Sequence, residues 1–317
     1  MTTIKDLDPK ATALVFPGQG SQLVGMGREL AEAFPAARAI FHEADATLSV
    51  ALSEVMWNGP AEQLNDTMNT QPALFIHSLA AFTVLKELLP EFRPAFLAGH
   101  SLGELSALTA GGALTFAAGL RLVRRRGELM KQAGEVNPGG MAAVLSLDIP
   151  TLEKICESAS TAAEGVQVAN DNCPGQVVIS GAKPAVERAI ELAKAAGARR
   201  AVPLPISIAA HSKLMDTIQA EWDAAVAEAG LSDSAIPLIG NVEASVIASG
   251  TDLSRDIQRQ MQSRVRWSET IAAAGKHGIN AFIEVGTGSV LLGLIKRIAS
   301  EATGIPLGTA ADFALTK

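Results

Sequence analysis

Gly99-His100-Ser101-Leu102-Gly103 fits the pattern G-x-S-x-G, which sets a serine on a sharp turn between a strand and a helix. The flanking residues supply that setting. Phe96-Leu97-Ala98 reads as a strand, and the chain from Glu104, with Leu105 and Leu108, reads as a helix. Glycines at 99 and 103 make room for the strained turn. The helix N-terminus behind Ser101 favours negative charge on a nearby oxygen. Ser101 is therefore the expected nucleophile.

A serine needs a general base to attack at neutral pH. The chain has five histidines, His42, His77, His100, His211 and His277. His100 adjoins Ser101, and neighbouring side chains in such a turn point apart. His42 and His77 fall in amphipathic helical stretches, and His277 sits where a helix ends. His211 follows a strand-like run over 202–208 and precedes a helix starting near Ser212. Sheets of α/β proteins place their chemistry at such strand ends, so His211 is the expected base. Ten acids lie between Ser101 and His211, where a Ser–Asp/Glu–His order puts the third member, yet none has a strand-end position. The expectation is a Ser–His dyad whose imidazole is oriented by a backbone carbonyl.

Three consecutive arginines, Arg124, Arg125 and Arg126, follow Thr115. Phe116, Leu120, Val123, Gly127 and Met130 recur at helical spacing and define one buried stripe. At about 100° per residue Arg125 falls opposite that stripe, in solvent, while Arg124 and Arg126 flank it. Periodicity does not choose between those two.

Elements that alternate in period must position these groups. Residues 12–16, 95–98, 236–240 and 281–285 read as short buried strands, and a helix is expected from about Gln22. Strands alternating with helices argue for a parallel sheet covered on both faces. Between them the rhythm changes to strand 141–147, helix 150–162, strands 166–170 and 177–180 around a Cys173-Pro174-Gly175 turn, helix 183–196 and strand 199–206. That is the β-α-β-β-α-β order of ferredoxin-like units. Asn137-Pro138-Gly139-Gly140 marks a boundary on entry. The expected organisation is a large α/β domain over 1–136 and 207–317, with a small domain inserted at 137–206. The final residues read as a loose tail.

Composition excludes several classes. Of 317 residues, 48% are hydrophobic and 19% charged, an ordinary globular balance. With 26 basic and 33 acidic residues the formal net charge is −7, which lacks the footprint of a general nucleic-acid binder. Two cysteines, Cys156 and Cys173, without a Cys-x-x-Cys, provide neither a disulfide framework nor a thiolate zinc site. Residues 1–10 carry Lys5, Asp6, Asp8 and Lys10 and no apolar core of a signal peptide. Residues 67–85 lack Asp, Glu, Lys and Arg but contain Asn69, Gln71, Pro72 and His77, a poor membrane span. A cytoplasmic protein with no membrane partner is expected.

Taken together, Phe16-Pro17-Gly18-Gln19-Gly20-Ser21-Gln22, the Gly99–Glu104 turn and Glu284-Val285-Gly286-x-Gly288 resemble the malonyl-CoA:acyl carrier protein transacylases of fatty-acid synthesis. They equally resemble the acyltransferase domains of polyketide synthases. The resemblance spans residues 14–298. It implies an α/β-hydrolase-like core with a ferredoxin-like insertion and a ping-pong acyl transfer needing no metal and no cofactor. In that scheme Ser101 carries the acyl ester, His211 is base and then acid, and the backbone N–H groups of Gln19 and Leu102 form the oxyanion hole. The family's Arg-Gly pair selects Arg126 as the group that grips the malonyl carboxylate, a task suited to a forked guanidinium. Gln71 and Gln260 match polar positions lining the site, the carbonyl of Gln260 orienting His211. Asn170 and Asn172 match residues near the pantetheine arm. The implied partners are malonyl-CoA and an acidic acyl carrier protein, received on a basic patch for which Arg199-Arg200 is one choice. A discrete monomer is expected.

The chain departs from the family at Ala210, where Ser or Phe usually precedes the histidine, and at Thr287 and Arg264, where Pro is usual. The small Ala210 leaves room for a substituted malonyl group such as methylmalonyl. Thr287 and Arg264 are expected to tune loops. The rival readings are a thioesterase or esterase on the same serine turn, and a carrier-binding protein without activity. A buried Arg126 and the missing third acid weigh against the hydrolase.

Overall fold

The protein is described here by a computed structural model covering residues 3–316, the side chains of 315 and 316 excepted. Among the described residues ten strands form two sheets: β1 (Thr12–Phe16), β2 (Phe96–Gly99), β3 (Gly139–Leu145), β4 (Val166–Cys173), β5 (Gln176–Ala182), β6 (Arg200–Pro203), β7 (Leu238–Ile239), β8 (Val246–Ile247), β9 (Ala281–Val285) and β10 (Thr303–Leu307).

The larger sheet runs β10-β9-β1-β2-β7-β8 and is parallel except at β7–β8. Every residue of β1 and β9 is buried, as a central parallel strand covered on both faces requires. Register fixes what meets at the strand ends. Phe16 pairs with Gly99 and Leu97 with Leu238, so the chain after β1, β2 and β7 emerges along one edge. The smaller sheet runs β4-β5-β3-β6, wholly antiparallel, with the helices Ile149–Ala159 and Lys183–Ala195 packed on it around their own apolar core. The architecture is thus an α/β-hydrolase-like parallel core with a ferredoxin-like second sheet.

Hydrogen bonds tie the second sheet to the loop at Val265 and to the helix Val290–Ile298 beside the larger sheet. The Asp171 N–H donates to Val265 O, the Val265 N–H donates to Ala169 O, and Arg297 donates to Pro174 O and Gln176 Oε1. The chain enters and leaves the second sheet at one place, since the Gly139 N–H donates to Ser207 O at 3.1 Å.

Several elements differ from expectation. No helix starts at Gln22: Gly25 and Gly27 both take positive φ, so the chain turns until the helix Arg28–Ala33 begins. Strand 199–206 shortens to β6, because Pro203 and Pro205 carry no N–H for a ladder. Strand 236–240 keeps only two paired residues. His77 lies in Thr67–Leu88, a helix buried nearly all round rather than amphipathic. The expected loose tail is a 3-10 helix, Asp312–Thr316, whose Phe313 is buried against Phe34; Lys317 lies outside the described residues.

Candidate active site

The serine turn is built by close approach of backbones. A Cβ on Gly99 would lie 2.0 Å from Gly103 C, and one on Gly103 would lie 2.0 Å from Phe16 O, so both positions demand glycine. Ser101 itself is held at φ 52°, ψ −108°, strain of about 1–3 kcal/mol that the surroundings must maintain. Asn241, just past β7, supplies part of that hold. Its Oδ1 accepts from Ser101 N–H at 2.8 Å and its Nδ2 donates to Gly99 O at 2.7 Å. Gln260 Nε2 donates to Ser101 O at 3.0 Å.

Ser101 Oγ lies 2.8 Å from His211 Nε2. His211 Nδ1 faces two carbonyl oxygens, Gln260 O at 2.9 Å and Ser263 O at 3.1 Å. Carbonyls only accept, so Nδ1 carries the proton and Nε2 offers its lone pair to the serine hydroxyl. Burial and then the charge of Arg126 pull the imidazole pKa down to about 3, which leaves it neutral and basic-competent at pH 7. The strand preceding His211 is β6 of the second sheet, not a strand of the parallel sheet. The histidine reaches the serine through an irregular segment after β6 and takes φ 58°. Gln167 of β4 holds that segment by donating to His211 O and Gln262 O.

Arg126 is 1% exposed. Its Nη1 donates to Gln71 Oε1 at 2.8 Å, and its Nη2 donates to Gln260 Oε1 at 2.8 Å and to Ser101 Oγ at 3.1 Å. Its Nε–H has no acceptor among the described residues, and no carboxylate bridges it. Burial lowers its pKa to about 10, the carboxyl of Glu104 acting in the opposite sense, so the guanidinium stays charged. Arg124 is held on Met68 O, Asn69 and Glu128, and Arg125 reaches Glu221 at the surface. A buried cation surrounded by neutral acceptors is poised for an anionic ligand.

These groups line one cavity of about 670 Å³ that also takes in Gln19, Leu102, Asn170, Asn172 and Ala210. The N–H groups of Gln19 and Leu102 donate to no acceptor among the described residues, and both residues line the cavity with Ser101. Gln71 and Gln260 are buried behind Arg126 rather than lining the opening. Asn172 Oδ1 accepts from His100 Nε2–H at 2.8 Å, and His100 packs edge-on against Trp267. His42 and His277 are exposed and distant from this cluster, and His77 is tied to Thr287 Oγ1 and Gly308 O. Arg199 and Arg200 are exposed on the second sheet. Among the described residues no group of His, Cys, Asp and Glu has the makeup of a metal site, and no helix is long and apolar enough to cross a membrane.

Sequence reasoning missed Asn241, Gln167 and Ser263. Asn241 carried a usable signal, being a polar residue at the end of a buried run; the other two carried none.

The model of the acyl transferase domain family matches residues 13–311. The malonyl CoA-acyl carrier protein transacylase of Bacillus subtilis is 44% identical over 90% of each chain. An acyl carrier protein S-malonyltransferase from Vibrio cholerae superposes with a TM-score of 0.93 at 41% identity, covering 97% of this chain and all of the other. A malonyl-transacylase solved in complex with a type II polyketide-synthase acyl-carrier protein superposes with a TM-score of 0.92 at 37% identity, covering 96% and 98% of the two chains.

Proposed function

Because the chain belongs to the acyl transferase domain family, we propose that it works through a malonyl ester on Ser101, read from the buried cluster around that residue. The enzyme is an acyltransferase that moves a malonyl group from malonyl-CoA to an acyl carrier protein, in fatty-acid or polyketide synthesis. Arg126 pairs with the free carboxylate. His211 Nε2 takes the Ser101 proton as Oγ attacks the thioester carbonyl. The N–H groups of Gln19 and Leu102 receive the oxyanion. His211 then returns the proton to the departing CoA sulfur, leaving the ester. The phosphopantetheine thiol of the carrier enters by the same cavity, gives its proton to His211 and attacks the ester carbonyl; the bond to Ser101 Oγ breaks, Oγ takes the proton back from His211, and the carrier leaves with the malonyl thioester. Gln71 and Gln260 hold the guanidinium in place, and Asn170 and Asn172 flank the path of the pantetheine arm.

The observation that carries this reading is a buried guanidinium without a carboxylate partner, 3.1 Å from the nucleophile. A hydrolase for uncharged acyl chains has no use for it. We read 137–206 as an inserted subdomain, since its two helices and four strands enclose a core of their own. We also read the protein as a cytoplasmic monomer without a resident cofactor or metal; both cysteines are buried and unpaired, which suits a reducing compartment.

Intact mass spectrometry after brief exposure to malonyl-CoA tests the proposal. A malonyl adduct on the native chain, absent from Ser101→Ala, is expected. Release of CoA without an adduct would favour hydrolysis, and an adduct retained by Ser101→Ala would move the nucleophile elsewhere.

A further inference from the structure

Two carboxyl groups that do not line the cavity lie behind the nucleophile. Glu104 stands in the first turn of the helix Leu102–Ala110, and Asp256 stands in Gly250–Gln260, the helix that ends on Gln260. Both are more than nine-tenths buried. Glu104 Oε1 accepts from the Asn241 N–H at 3.2 Å, and its Oε2 accepts from Gln260 Nε2. Asp256 packs beside Glu104, its Oδ1 facing Gly240, next to the Asn241 N–H that Glu104 accepts. Its Oδ2 is buried with no donor from any other group among the described residues. Two carboxylates in such contact cannot both hold their charge, and one proton between them also satisfies the orphaned oxygen.

We propose that Glu104 and Asp256 share a single proton, and that the one negative charge left on the pair makes them positioning residues for Gln260. The amide of Gln260 has two orientations. As found, its NH2 faces Glu104 and Ser101 O, and its oxygen faces Arg126. Turned over, it would present oxygen to two acceptors and N–H groups to a guanidinium. The carboxyl pair therefore selects the orientation that gives Arg126 an acceptor. The same residue's backbone oxygen holds His211, so a pair touching no substrate sets both working groups. The charges around it are Arg126 beyond the Gln260 amide and Arg259, itself bridged to Glu243, beside Asp256; His211 on the far side of Gln260 is neutral. Burial and then the Asp256 charge raise the Glu104 carboxyl well above its usual range, and a proton held between the two carboxyls leaves the Glu104 oxygen that faces Gln260 an acceptor.

Infrared difference spectroscopy on the full chain at pH 7 tests the shared proton without reference to activity. The native chain is expected to show the carbonyl band of a protonated, deuterium-sensitive carboxyl. Glu104→Gln and Asp256→Asn should each abolish it, because the surviving carboxyl ionises against the new amide N–H. Absence of the band in the native chain, or its survival in both variants, would overturn the proposal.

The kinetic arm rests on the malonyl-transfer reading. Glu104→Gln should keep kcat/KM within about threefold, while Glu104→Ala loses at least about tenfold and adds nothing to Gln260→Ala in a double-mutant cycle. Equal damage from Gln and Ala at 104, or additive losses, would count against positioning. Should Glu104→Ala fail to fold, the two amide variants decide. A native chain that shows the band yet transfers no malonyl would refute the proposed function and leave the carboxyl pair intact.

Discussion

Replacing Arg126 by Ala separates a substrate-binding cation from a merely structural one. The side chain makes three hydrogen bonds, all to neutral acceptors, and its Nε–H is unpaired among the described residues. A malonyl carboxylate entering the cavity therefore meets a charge that nothing has neutralised at contact range. Each hydrogen bond to a charged partner contributes about 1.5–3 kcal/mol, and about 1.4 kcal/mol is a factor of ten. Loss of the forked contact should lower kcat/KM for malonyl-CoA by about 10- to 100-fold or more. Acetyl-CoA has no carboxylate, so its transfer should not fall in step. Arg126→Lys, which keeps the charge but not the fork, should fall between native and Ala. The assay is single-turnover acylation of Ser101 by each thioester, followed by mass. Equal losses for malonyl and acetyl would refute the reasoning and make Arg126 a structural residue.

Acylation of Ser101 should show no acid limb near pH 6.5, because His211 is held neutral down to about pH 3; an inflection near 6.5 in a pre-steady-state pH profile would contradict this. The same depressed pKa costs stability in acid. The unfolded chain takes up a proton at 211 below about pH 6.5 and the folded chain does not, so stability should fall as the pH drops from there toward 3. His211→Gln should blunt that decline in denaturant titrations. Asn241→Ala removes two buried hydrogen bonds to the serine turn and should lower the unfolding free energy by about 2–4 kcal/mol in urea titrations; an unchanged midpoint would show that the turn holds itself. Ala210→Phe narrows the cavity beside His211 and should slow acylation by methylmalonyl-CoA more than by malonyl-CoA, the ratio of adducts in a mixed incubation being the measure.

How much of this was legible in the sequence depended on how local the signal was. β1 and β9 matched the expected runs because a doubly covered parallel strand is one unbroken apolar stretch. The serine turn was legible for the same reason, its glycines and flanking elements being adjacent. Helical periodicity could not separate Arg124 from Arg126. Tertiary packing does so, sending Arg124 to Met68 and Asn69 and Arg126 inward to Gln71. The Asn241 side chain was readable only as a polar residue at the end of a buried run, and the roles of Asn241 and Glu104 were not, because each acts on a partner more than a hundred residues away, brought near by strand order. The expected helix at Gln22 failed on two glycines whose positive φ no apolar count registers, and the expected tail failed on one buried Phe313.

The return of the chain from the second sheet to the point where it entered bears on how Ser101 and His211 come together. Ser101 and His211 are separated by 110 positions, a long excursion for two side chains that must meet. Once β3 to β6 have paired, however, Gly139 and Ser207 are bonded neighbours. The effective loop between Ser101 and His211 then shrinks to roughly 40 residues, and its closure entropy falls by about 1 kcal/mol. The second sheet thus acts on the folding chain as a splice. If it forms first, His211 arrives at Ser101 as though most of the intervening polypeptide were missing.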